Sequence, residues 1–337
     1  DFVSFEWVTN EFAESLQDGA KREVPKIQNL NKYRAWIAPY IKRRLPGEPD
    51  VAKFVKPQAP LIKTIEVDWD KEHMAHYLRV ADEFANWWMR RQGDKRGQNL
   101  VALLARIGAV EIANNDPHFC SDGPSSYRGG LTSKQRWVIN RAVEISQQKK
   151  LVVYAKSPTL LNRFHQELSR MGVKSICYHG ELSPKERRRN LQLFRHDDTN
   201  VALASFGVTR AGLDLYQASH VIMASRLWSA TREDQAIYRL LRPQQTELVT
   251  VEQVHTKGSI DIYQDQMCTW KATSASSGLD WGTPMSDEMS FLHLDTVLGS
   301  FVKTLQKCTA WSRTSLENWQ RRSHECVQGR HHTNYPR

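Results

Sequence analysis

The sequence predicts an α/β fold built on a parallel sheet, and three observations carry that prediction. From residue 150 onward, short apolar runs alternate with stretches of helical character: Leu151–Ala155, Lys174–Tyr178, Val201–Ala204, 219–223 and 248–254 read as strands. The helix starts between them are written in capping chemistry. Ser157-Pro158 is an N-cap followed by a first-turn proline, and Ser183 with Glu186 forms a capping box with Pro184 at the first helical position. Finally, 40% apolar residues supply a core, and 25% charged residues are ordinary for a folded, water-facing chain. Together these predict a sheet of five or six strands with helices on its faces.

The remaining composition bounds the partners. A net charge of +10 over 337 residues favours a polyanion. Five cysteines without a CxxC pair point to reduced thiols and an intracellular compartment. No apolar run reaches the length of a membrane span, and no signal peptide is expected. The chain starts at Asp1 without methionine, which is expected of a fragment or a processed product.

Ahead of the alternating region, residues 1–45 have no clean period. Leu61–Val67 is rich in β-branched residues and reads as a strand. Asp70 reads as an N-cap with Glu72 in the first turn. The helix it opens aligns Met74, Tyr77, Leu78, Ala81, Phe84, Ala85 and Trp88 on one stripe. Trp87 and Trp88 are read as core and partner-facing rather than as a base-stacking platform. A second helix is expected from Asn99 to Ala113. Residues 120–130, dense in Gly, Pro and Ser, form a linker, and Thr132-Ser133-Lys134 caps a helix reaching about Gln147. At the other end, 269–285 reads as a second linker, centred on the Ala- and Ser-rich 271–278. Met289, Leu292, Thr296, Leu298, Phe301, Val302 and Leu305 fit an amphipathic helix within a basic extension, 286–337. His324, Cys326, His331 and His332 match no zinc spacing and read as part of that tail, so no metal site is expected.

The chemistry concentrates in Gln235-Ala-Ile-Tyr-Arg239-Leu-Leu-Arg242-Pro-Gln-Gln245. Helical spacing of three would place Arg239 and Arg242 side by side, with guanidinium forks able to grip one oxyanion. Upstream lie Val201-Ala-Leu-Ala-Ser205-Phe-Gly-Val-Thr209-Arg210-Ala-Gly212-Leu-Asp214-Leu and Trp228. Taken together, these residues resemble motifs V and VI of the Swi/Snf-type ATPases, a branch of the superfamily-two helicases. The resemblance spans about 35–265. It takes in Trp36 to Pro46 with its Arg43-Arg44 pair, the Ser133-Lys134 opening, and Gly258-Ser-Ile-Asp-Ile262 near the end.

That resemblance implies a RecA-like three-layer lobe from 131 to 268, preceded by a mostly helical remnant of the first helicase lobe (1–119). It implies that Arg239 and Arg242 act as arginine fingers on the γ-phosphate of ATP, with Gln235, Gly212 and Asp214 lining the nucleotide side. It also implies that Lys156, Ser157, His179, Gly180, Ser205 and Arg210 contact one phosphate backbone of double-stranded DNA. The expected partners are the first lobe of the same protein and chromatin proteins, in the nucleus where most of the family works. Thr209-Arg210 replaces a usual pair of glycines, Gln244 a glycine and Asp214 an asparagine. The sequence contains no GxxxxGK[ST] phosphate loop and no acidic box after an apolar strand, so Mg²⁺ with ATP would be held by another lobe. The expectation is therefore a DNA-dependent ATPase fragment that is inactive alone. The alternative is a degenerate, non-catalytic DNA- or protein-binding module.

Overall fold

The computed structural model describes residues 30–41, 48–52, 59–90, 100–119, 127–196, 198–208, 213–279 and 302–303. The described elements are α1 (Leu30–Ile37), α2 (Pro49–Ala52), β1 (Leu61–Val67), α3 (Lys71–Arg90), α4 (Leu100–Asn115) and α5 (Ser133–Ser146). They continue with β2 (Leu151–Ala155), α6 (Pro158–Arg170), β3 (Ser175–Tyr178), α7 (Pro184–His196), β4 (Val201–Ser205) and β5 (His220–Met223). Then come α8 (Ala230–Ile237), β6 (Thr250–Thr256) and α9 (Ile260–Leu279). All six strands pair in parallel in the order β1-β6-β5-β2-β4-β3.

Alternation along each strand sorts the core into two layers. Leu151, Val153 and Ala155 face Val138, Ile139 and Ala142 of α5 and Leu161, Phe164 and Leu168 of α6. Val152 and Tyr154 face the opposite layer with Phe194, Ala236, Ile237 and Leu240. Both faces of β2 are therefore buried, which is why it reads as a continuous apolar run. The result is the layered parallel α/β arrangement that the strand–helix alternation predicts, and it agrees with the RecA-like lobe that the resemblance implies.

The local signals behave as their chemistry requires. Thr132 and Gln135 form a reciprocal capping box at the start of α5. Ser157 accepts from the Leu160 amide, with Pro158 opening α6. Ser183 and Glu186 exchange hydrogen bonds at α7, 2.8 and 3.3 Å. At the far end of α6, Gly172 has φ +76°. Its amide donates to Ser169 O and that of Val173 to Leu168 O, closing a Schellman motif that needs a residue without a Cβ penalty.

Three expectations are corrected. First, β1 is not part of a separate preceding remnant. It is the edge strand of this same sheet, in register with β6 from Leu61↔Thr250 to Val67↔Thr256. Tyr77, Ala81, Phe84, Val110 and Ala113 of α3 and α4 likewise pack against Ile260, Tyr263 and Met267 of α9. The boundary placed at 120–130 thus does not divide two bodies among the described residues. Second, Asp70 stands just before α3, but its carboxylate accepts from the Ser133 amide and from Arg136 at the start of α5. Third, α9 runs on to Leu279, through the segment 271–278 marked as a linker. Ala272 and Ala275 are strong helix formers, serine costs only tenths of a kcal/mol, about 0.5, and an established helix propagates cheaply.

Of the C-terminal extension only Val302 and Lys303 are described, with Val302 packed beside α9; the rest lies outside the described residues, as do 1–29 and 120–126. Trp88 is buried, and Trp87 lies half-buried under the Arg106 guanidinium, 4.8 Å from the ring centroid. No helix among the described residues is long and apolar enough to cross a membrane.

Three histidines gather around Tyr127 where α3 and α4 meet the strand of chain leading into α5. The rings of His73, His76 and His118 lie 5.9, 5.6 and 4.9 Å from that of Tyr127. His73 donates to Ala113 O at 2.8 Å, and burial pushes its imidazole down to about 4. A histidine with a lowered folded-state pKa stabilises the fold above its unfolded value and loses that contribution as the pH falls. Unfolding free energy should therefore drop between about pH 6.5 and 4, by up to about 3 kcal/mol from His73. Urea titrations across that range should show a shallower decline for His73→Gln.

Candidate nucleotide and nucleic-acid interface

Because every strand is parallel, the loops after β2, β3, β4 and β5 leave the sheet on one side, where open α/β sheets place ligands. Lys156 follows β2; its amide donates to Ser225 Oγ beyond β5 at 2.8 Å. Its ammonium pairs with Glu111 of α4, yet half of the side chain is exposed (51%). Ser157 is occupied structurally, since its hydroxyl caps α6 and donates to Asp116 Oδ2 at 3.0 Å. His179 follows β3 with its ring buried. It lies 3.0 Å from Asn162 Oδ1, and burial lowers its pKa, so it orders the loop as a neutral group. Gly180 beside it is exposed. Ser205 ends β4 and is buried. Among these, Lys156 and Gly180 are the positions the fold presents outward.

The motif V and VI residues converge on a second patch. Arg242 Nε donates to Asp214 Oδ1 at 2.8 Å, with both side chains partly exposed (35% and 46%). The Leu215 amide donates to Arg239 O at 3.0 Å, and Arg195 donates to Asp214 O at 3.0 Å. Gln245 Nε2 donates to Tyr216 O and Ala218 O, at 2.9 and 2.8 Å, stitching the two segments together. Arg239 lies near the buried Tyr154, whose hydroxyl donates to Ala236 O. Burial raises the Tyr154 pKa, and the Arg239 charge opposes that rise.

The expected helical pairing of Arg239 with Arg242 does not occur. Helix α8 stops at Ile237, and Arg242 lies in an irregular turn. Pro243 explains part of this, because a residue preceding proline is pushed out of helical conformation. Gln235 is exposed on α8. Gly212, Arg210 and Thr209 lie outside the described residues.

Beneath the strand ends runs a buried polar network that residue-by-residue reading missed. Lys134 donates to Asp261 Oδ2 (2.8 Å) and Asn115 Oδ1 (2.7 Å), with both ion-pair partners at least 97% buried. Burial pulls the Lys134 pKa down. Burial also opposes the charge on Asp261, but Lys134, His255 and the Thr256 amide outweigh it and hold a carboxylate there. Glu111 accepts from Lys156, Trp228 Nε1 and Gln264 Nε2, the last at 2.7 Å. Arg226 pairs with buried Glu233 at 2.9 Å and with Asp265 at 2.5 Å. Lys134 and Asp261 stand in short motifs the sequence marks, yet 127 positions separate them and no local signal joins them.

Residues 133–244 match the model of the helicase conserved C-terminal domain. That stretch starts with α5 and ends just past Arg242. This stretch is thus a helicase C-terminal domain, similar to that of SNF2-type proteins. The "SNF2 domain-containing protein CLASSY 2" of Arabidopsis thaliana is 27% identical over 146 residues, covering 41% of this chain and 12% of that protein. The chain thus spans about an eighth of the length of the curated CLASSY relatives it matches. In fold it is similar to the C-terminal part of the Fun30 ATPase domain, with TM-score 0.52 and 14% identity over 77% of this chain and 99% of that one. It is similar also to the Sulfolobus solfataricus SWI2/SNF2 ATPase core solved in complex with dsDNA, with TM-score 0.51 and 20% identity over 87% of this chain and 60% of that one.

The two kinds of ion pair in this lobe should respond differently to mutation. Lys134→Met strands a buried carboxylate and should cost about 3–5 kcal/mol in urea unfolding. Asp214→Ala removes a solvent-screened partner and should change stability by less than about 1 kcal/mol.

Proposed function

We propose that this lobe works within a DNA-dependent ATPase that translocates along duplex DNA, remodelling chromatin or other protein–DNA complexes. The observation that carries the reading is the convergence of Asp214, Arg239, Arg242 and Gln245 within a helicase C-terminal lobe. Phosphoryl transfer spreads negative charge over equatorial oxygens, and a positioned guanidinium stabilises it. Arg242 is partly exposed and held only by a screened carboxylate, so a phosphate can replace Asp214 as its partner. Arg239 is the second cation, and Gln245 fixes the segment that carries both.

Among the described residues no cluster of three His, Cys, Asp or Glu side chains is arranged to hold a metal ion. The sequence contains no phosphate-loop motif, so in this reading Mg²⁺ is held by a first lobe that completes the ATP site. ATP hydrolysis would then require both lobes, and closure around the nucleotide would drive stepping. Duplex DNA is the partner we assign to the strand-end groove, with Lys156 and the exposed Gly180 loop on the phosphate backbone. The Sulfolobus core with the same fold was captured with dsDNA, which supports that choice. Chromatin proteins and a nuclear setting follow from the same reading.

One observation favours a non-catalytic module instead. Asp214 already neutralises Arg242, and an engaged finger needs that pair broken. Hydrolysis decides between them. This chain mixed with the first lobe of its own protein should hydrolyse ATP faster with duplex DNA. Arg239→Ala and Arg242→Ala should each cut kcat by roughly 10³-fold or more, the range measured for arginine fingers. Turnover unchanged by both substitutions removes the finger assignment, and absence of turnover with folded lobes establishes the module.

A further inference from the structure

Helix α7 carries a charge pattern that neither the fold nor the ATP site uses. Lys185, Arg188, Arg189, Gln192 and His196 are all exposed, and their spacing of i, i+3, i+4, i+7 and i+11 puts them on one stripe. The opposite side of the helix is fully committed. Phe194 is buried in the sheet's second layer, and Asn190 donates to Cys177 O of β3 at 2.8 Å. Because β3 is the outermost strand and pairs in parallel with β4, α7 starts on the strand-end side and runs back along the sheet edge, so the Lys185 end of the basic stripe lies nearest the strand-end loops. It starts within five residues of the exposed Gly180.

Several other exposed cations of the lobe are matched by carboxylates: Arg170 by Glu167, Lys149 by Glu247 at 2.6 Å, and Lys174 by Asp198 at 4.0 Å. Lys185, Arg188 and Arg189 form no ion pair among the described residues, although they repel one another along the helix. The one acidic residue of α7, Glu186, spends its carboxylate on the Ser183 amide at 2.8 Å. Glu181, in the preceding loop, lies 4.0 Å from His179 Nδ1. The stripe is about 16 Å long at the helical rise, long enough to face several phosphates of a duplex.

We infer that the outer face of α7 is a second phosphate-binding track, continuing the strand-end groove along the backbone of the same duplex DNA. This rests on the nucleic-acid reading proposed above. A membrane surface fits less well, since an interfacial helix inserts an apolar face, and that face of α7 is consumed by the sheet. Contacts of this kind hold the duplex in register without reading its sequence, and each releases condensed counterions.

The test is fluorescence anisotropy of the 337-residue chain with a labelled duplex DNA across a salt series. The triple variant Lys185→Ala, Arg188→Ala, Arg189→Ala should weaken binding at low salt by at least ~10-fold. Its slope of log K against log salt should be shallower by about 2–3. Alanine favours helix, so circular dichroism should be retained. Arg188→Lys with Arg189→Lys should keep the wild-type slope. A control removing the same charge from the strands' amino-terminal side, Lys149→Ala, Arg170→Ala, Lys174→Ala, should also keep it. A wild-type slope in the α7 triple variant overturns this inference alone, including the case where that variant loses binding only to an acidic polypeptide. Equal losses in the control overturn it too, by reducing the effect to net charge. Folded wild-type chain with no salt-dependent duplex binding overturns both this inference and the reading beneath it.

Discussion

The lobe depends on one buried ion pair. Lys134 at the start of α5 and Asp261 at the start of α9 meet where neither reaches water. Two desolvated charges gain from further hydrogen bonds as well as from each other. Asn115 accepts from Lys134, and the Thr256 amide donates to the same Asp261 Oδ2 that the lysine reaches. The pair therefore locks together the end of α4, the start of α5 and the turn from β6 into α9. Those three pieces come from the front, middle and back of the described chain.

From that knot the polar network extends toward the surface. Gln264 of α9 and Trp228 after β5 both donate to Glu111, and Glu111 receives the Lys156 ammonium. A half-exposed lysine at a strand end is thus anchored on one side by a buried carboxylate. The strand-end groove inherits its shape from the core rather than from its own loops. Electrostatics differ at the other patch, where Asp214 and Arg242 meet in partly exposed surroundings. A pair screened by water exchanges partners at small cost, whereas the Lys134–Asp261 pair does not. One lobe carries both a fixed, buried pair and a loose, solvent-screened one.

Much of this was legible from the chain alone. The alternation of apolar runs and capping boxes reports strands and helices because a strand's facing and a helix's first turn are set by residues close in sequence. Thr132, Ser157 and Ser183 all do what their positions predict. Asp70 does not, because a distant amide, that of Ser133, claims its carboxylate. His179 fails in the same sense: burial, which sequence does not specify, makes it an internal neutral group.

By itself, then, the sequence determined the parallel α/β class, the caps of α5, α6 and α7, and the motif residues that mark a helicase C-terminal lobe. The tertiary structure decided that β1 belongs to this sheet and that α3 and α4 pack on α9. It alone decided that α8 ends before its arginines and that Glu111, Lys134 and Asp261 form the buried network. The division has a physical cause. Periodicity and capping act within a turn or two of chain, but strand pairing and the burial of charge join residues more than a hundred positions apart, where no local pattern can register the contact.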